Sequence, residues 1–117
     1  MGQIHEVQSD NELSKQIRLL KKTEGTFHVL FVNPSDPKSN YLIERFTHYQ
    51  DPEVYAYTIP NDIIIVDSFL CPSGFTLGSF HVTQTPTLVS FIFDPQFGYS
   101  VTQNEWVSII EEKLELI

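Results

Sequence analysis

Cysteine is nearly absent from this chain: Cys71 is the only one in 117 residues. A single cysteine excludes an intrachain disulfide framework and any metal site built on paired thiolates. Positive charge is also scarce, with 7 Lys and Arg against 15 Asp and Glu and a net charge of −8. That balance excludes a nucleic-acid or anionic-membrane binder, because phosphate contacts need clustered cations. The basic residues gather in Lys15–Lys22, where they read as the solvated face of one helix. No apolar run approaches the ~18 residues of a membrane span. The opening "MGQIHEVQSDNELSK" lacks the apolar stretch of a signal peptide, and Glu6 stands where a myristoylation site has Ser or Thr. A cytoplasmic protein without a membrane partner is expected. There is no repeat, linker or low-complexity segment, and residues 1–117 read as one domain.

Apolar residues make up 41% of the chain, with 9 Phe and 5 Tyr, enough for a real core. In "SDNELSKQIRLLKKTEG", Ser9 and Glu12 have the spacing of a capping box, and Leu13, Ile17 and Leu20 fall on one helical face. Gly25 is the expected stop. "TFHVLFV" (Thr26–Val32) is β-branched and aromatic on both faces, as a fully buried strand requires. Pro37 suits the first turn of a helix capped by Ser35 or Asp36, with Leu42, Phe46 and Tyr49 inward and Pro52 as terminator. Glu53–Ile59 reads as a strand. "PNDIIIVDSFLC" reads either way: its Ile run favours a strand, and Asn61 is a possible helix cap. "PSGFTLGSF" reads as a short, glycine-interrupted helix or turn region. Pro86–Phe93 and Phe97–Thr102 form a hairpin around a "DPQ" turn. Thr102 and Glu105 match a second capping box, for a last helix burying Trp106, Ile109, Ile110 and Leu114. Residues 2–7 could add an edge strand. Strand–helix–strand units followed by a hairpin give an α/β fold, a mixed central sheet flanked by helices on both faces.

This arrangement resembles the thioredoxin-like fold family. "FHVLFV" before a proline-opened helix is similar to the family's second strand and active-site helix. "FHVTQTPTLVSF" is similar to its Thr-Pro-Thr segment, and the hairpin and last helix match its ending. The resemblance implies a cis peptide bond before Pro86. It also implies that the backbone of Thr85 pairs with an extended substrate peptide beside the helix start.

The chain departs from the family where the chemistry lies. In place of Trp-Cys-Gly-Pro-Cys stand Pro34, Ser35, Asp36, Pro37 and Lys38, so no CxxC motif remains. The family's buried acid falls at Val29. Thiol–disulfide exchange needs an attacking thiolate and a resolving thiol; with neither here, a redox-inactive member without dithiol oxidoreductase activity is expected. Cys71 reads as a small buried apolar residue. The chain also exceeds a minimal thioredoxin in or near Pro60–Pro72, which could extend a helix, add an edge strand or form a partner surface.

The expected function is binding of a protein or extended peptide in a groove between Asn33, Pro34, Ser35, Asp36, Pro37 and Lys38 on one side and Gln84, Thr85 and Pro86 on the other. The alternatives are a glutathione-dependent enzyme with the thiolate held at Ser35, and a structural homodimer with a vestigial groove. No resident cofactor is expected. Ser35-x-x-Lys38 matches a serine acyl-transfer spacing, but the companion motifs are missing. His5, His28, His48 and His81 show no metal-ligand spacing. Glu111 and Glu112 read as solvated. "SGFTLGS" is no phosphate loop, since its spacing is wrong and it lacks a lysine.

Overall fold

The computed structural model describes residues 2–49, 60–67 and 82–115, with side chains of the second helix described through Arg45. The elements are β1 (Ile4–Val7), α1 (Asp10–Lys22), β2 (Phe27–Val32), α2 (Pro37–Tyr49), β3 (Asp62–Asp67), β4 (Thr87–Asp94), β5 (Gly98–Asn104) and α3 (Val107–Lys113). They form a five-stranded sheet in the order β1-β3-β2-β4-β5. β1, β3 and β2 run parallel, while β4 and β5 are antiparallel to their neighbours. The strand–helix–strand unit of β2, α2 and β3 forces a parallel pair, and the short hairpin forces an antiparallel one.

Each face of the sheet has its own core. On one face Leu13, Ile17 and Leu20 of α1 pack over Phe27, Val29, Phe31, Ile64, Val66, Val89 and Phe91. This core is aromatic: the Phe27 and Phe91 rings stack at 4.6 Å, and Tyr99 meets Phe27 edge-on at 5.8 Å. On the other face Leu42 of α2, with Ile110 and Leu114 of the α3 end, covers Leu30, Val32, Ile63 and Leu88. That core is aliphatic. The period-2 alternation of strand side chains sends neighbouring residues of β2 into different cores, which is why all six of its residues are buried.

The first helix follows its sequence signals. The Ser9 hydroxyl accepts from the Glu12 amide at 3.2 Å. The Glu12 carboxylate reaches back one residue further than a capping box requires, accepting from the Gln8 amide at 2.8 Å. At the other end the left-handed residue is Glu24 (φ 55°) rather than Gly25. Thr23 caps the helix instead, its amide and hydroxyl both reaching the Leu20 carbonyl.

Two expectations are corrected and one open reading is decided. The Ile run is a strand and belongs to the core: Asp62–Asp67 lies between β1 and β2 rather than at an edge, with Ile63, Ile64 and Val66 buried. The edge is β1, within residues 2–7. The second capping box does not form, because Thr102 pairs with Ser90 in the β4–β5 ladder, which runs to Asn104. A continuous ladder satisfies that backbone, so α3 starts at Val107 with no side-chain cap. Trp106 is therefore not core; it is 72% exposed, and Ile109 is half-buried. The strand expected at Glu53–Ile59, the side chains of Phe46 and Tyr49, and Pro52, Cys71 and "PSGFTLGSF" lie outside the described residues.

Candidate functional site

The segment after β2 is shaped by its own polar side chains. The Asn33 carboxamide oxygen accepts from the Ser35 amide at 3.0 Å, turning the chain over Pro34. Asp36 then caps α2: its carboxylate accepts from the Lys38 amide at 3.3 Å and the Ser39 hydroxyl at 3.1 Å, and its carbonyl accepts the Asn40 amide. Pro37 occupies the first helical position, where its missing N–H costs nothing. Of the two candidate caps, the structure uses Asp36. The Ser35 hydroxyl has no hydrogen-bond partner among the described residues, and Ser35 is exposed.

The second segment leads into β4. The Thr85–Pro86 peptide bond is cis. Pro86 is buried, Thr85 half-buried and Gln84 exposed. The Thr87 hydroxyl donates to the Gln84 carbonyl at 2.6 Å, fixing the approach to β4. Among the described residues, neither the N–H nor the C=O of Thr85 has a hydrogen-bond partner.

β2 and β4 are hydrogen-bonded neighbours, with Phe31 opposite Thr87, so their adjoining loops meet at one end of the sheet. There Lys38 and Gln84 share an open groove of about 580 Å³ with Glu105, Trp106, Val107 and Ser108. The α3 approach was missed in the sequence, since Trp106 was assigned to the core. A second depression of about 170 Å³ lies beyond Pro34, between the ends of β1 and β3 and α2. It has Val32, Ile43 and Ile65 among its walls, together with Glu6 and Asp67.

The strand beneath is unlike a dithiol site. Val29 is buried among apolar side chains, where the resemblance placed an acid. His28, its neighbour on the opposite face, donates or accepts through Nδ1 to the Ser90 hydroxyl at 2.8 Å. Desolvation, reinforced by the Lys113 charge, lowers its pKa from 6.5 to about 4. It is therefore a neutral, hydrogen-bonded core histidine at pH 7. His5 sits on the edge strand β1, with Nε2 3.0 Å from Asp62 and Nδ1 3.4 Å from Gln16. Among the described residues no group of three His, Cys, Asp or Glu side chains could hold a metal ion. No described helix is long and apolar enough to cross a membrane.

Comparison with solved structures settles the architecture. Over 97% of this chain, reduced thioredoxin pre-protein from Schistosoma mansoni superposes with a TM-score of 0.65 at 13% identity, matched along 97% of its length. Mitochondrial thioredoxin 3 from Saccharomyces cerevisiae gives 0.62 at 14% identity, covering 97% of this chain and 95% of its own. The fold is thioredoxin-like. A designed protein also matches, at a TM-score of 0.60 and 18% identity over 96% of this chain and 92% of its own. At such identities the likeness carries the fold and nothing of the chemistry. No protein-family model matches the sequence, and neither does any curated protein.

Proposed function

We propose that this thioredoxin-like protein is a binding module, holding an extended peptide or protein segment in the groove between Asn33–Lys38 and Gln84–Pro86. The observation that carries this reading is the backbone of Thr85, which has no partner among the described residues, beside an open groove. An extended segment would pair its main chain with that N–H and C=O, and its side chains would lie toward Lys38 and Gln84. Main-chain pairing is tolerant of sequence, so selectivity falls to the groove walls. Asp36 is committed to capping α2, which leaves Lys38 as the charged side chain offered by the helix start.

Thiol–disulfide chemistry at this site would need a thiol from outside, because the chain carries no second one. Its hydroxyl, without a partner among the described residues, makes Ser35 the point at which a glutathione reading is tested. Amide-resolved NMR titration with an unfolded peptide mixture separates the two. Saturable shifts at Asn33–Lys38 and Gln84–Thr87 with peptide, weakened by Lys38→Glu, are expected. Shifts at the same amides with reduced glutathione alone, lost in Ser35→Ala, would replace binding by glutathione use. Silence from both ligands rules out the groove.

A further inference from the structure

The two edges of the sheet are built differently. β1 is four residues long and carries His5 and Glu6. β5 is seven residues long, reads GYSVTQN, and carries no charge and no proline. Natural edge strands are kept from pairing with other chains by being short, charged, bulged or interrupted by proline. β5 has none of these guards, and among the described residues no strand pairs with its outer side.

Exposed apolar side chains flank and stud the same strand. Phe97, immediately before β5, is 81% exposed, and Trp106, two residues after it, is 72% exposed. Val101 at the strand centre is 45% exposed, and Ile92 on the neighbouring strand is 38% exposed. Only Leu19 and Tyr41 otherwise join these four as exposed large apolar side chains among the described residues.

We infer that β5 pairs antiparallel with β5 of a second copy, joining two sheets into one continuous sheet. The strand is complementary to itself about Val101. A two-fold axis there sets Gly98 opposite Asn104, Tyr99 opposite Gln103 and Ser100 opposite Thr102 of the partner subunit. Carried one residue further, the register brings Phe97 to Glu105 of the partner subunit and next to Trp106 of the partner subunit. The two most exposed aromatics, at opposite ends of one strand, thus come to the same end of the joined sheet. Charge points the same way. Each chain carries −8, and an uncharged strand is where two such chains approach with least repulsion. In this register neither Asp94 nor Glu105 faces a carboxylate of the second strand. The inference is independent of peptide binding in the groove, although Trp106 borders both surfaces.

Sedimentation equilibrium on the full chain, with the fluorescence of the single Trp106 followed over the same dilution series, tests it. Wild type is expected to reach twice the 13.5 kDa chain mass at high concentration, with a blue shift of Trp106 emission in step. Val101→Lys sets two ammonium groups face to face on the axis and should weaken association about tenfold or more. It also makes each chain less negative, so a general increase in repulsion cannot explain that loss. Phe97→Ser, in an exposed turn, should reduce the blue shift while leaving the circular dichroism of the fold unchanged. A wild type that stays monomeric, or a dimer indifferent to both substitutions, overturns the inference. Peptide shifts at Gln84–Thr87 that survive in Val101→Lys separate a failed dimer from a failed groove.

Discussion

β2 and β5 belong to one sheet and live in different solvents. β2 sits between β3 and β4 with a core on each face, and all six of its side chains are buried. β5 has one neighbour among the described residues, and its side chains are exposed or half-buried. The same ladder chemistry therefore carries two jobs. In β2 side-chain packing on both faces supplies the stability, whereas β5 lies at the sheet edge among the described residues, with exposed aromatics at its ends. Tyr99 is the exception that anchors β5. Its ring packs on the aromatic core, and its hydroxyl donates to the Gly25 carbonyl at 2.9 Å, with longer contacts to Leu20 and Lys21 at the α1 end.

The contrast breaks most visibly at Phe27. Phe27→Ala removes a fully buried ring from its stack with Phe91. It should cost about 3–5 kcal/mol in urea unfolding. A loss under ~1 kcal/mol would mean that the aromatic core collapses to fill the space.

His28 gives the next largest effect, through pH. Its folded pKa lies near 4 and its unfolded value near 6.5. Between these the unfolded chain binds the proton that the folded chain excludes. The stabilisation is complete above pH 6.5 and declines as pH falls toward 4, by on the order of 3 kcal/mol. Unfolding curves across that window should show the slope, and His28→Gln should flatten it. An equal slope in the variant would assign the acid sensitivity to carboxylates elsewhere.

Smaller effects belong to the anchors and the edge. Tyr99→Phe keeps the ring and deletes the hydroxyl bonds, so a loss of about 1 kcal/mol in thermal unfolding is expected. Ser9→Ala removes the α1 cap and should cost about 1 kcal/mol by the same measurement. Val101→Thr, at the exposed centre of β5, should change monomer stability by no more than ~0.5 kcal/mol. Were Val101→Thr as damaging as Tyr99→Phe, β5 would have to be counted as core, and the division between the two strands would disappear.

The elements whose signals are local were legible in the sequence. Ser9 and Glu12 mark α1, Pro37 marks the start of α2, and the run from Phe27 to Val32 marks a strand buried on both faces. The hairpin was also legible: Asp94 accepts from the Gln96 and Phe97 amides, and Gly98 takes the left-handed conformation (φ 81°). Elements that depend on distant partners were not. The box of Thr102 and Glu105 was as good a local signal as that of Ser9 and Glu12. It lost because the ladder to β4 extends through Thr102 and keeps it in the strand. Of the site, both segments were readable as candidates, while the third wall from Glu105 to Ser108 was hidden by the same error.

Composition and periodicity alone determined α1, the start of α2, the buried strand β2, the β4–β5 hairpin, the mixed sheet, the acidic character and the absence of a dithiol. These follow from side-chain size, hydrophobic spacing and the count of cysteines, none of which needs a third dimension. The tertiary structure decided which strand is interior, which of Ser35 and Asp36 caps α2, and that Trp106 faces solvent. It also decided that Lys38, Gln84 and Trp106 meet in one groove. Those outcomes rest on competition between residues far apart in the chain for the same backbone hydrogen bonds and the same buried volume.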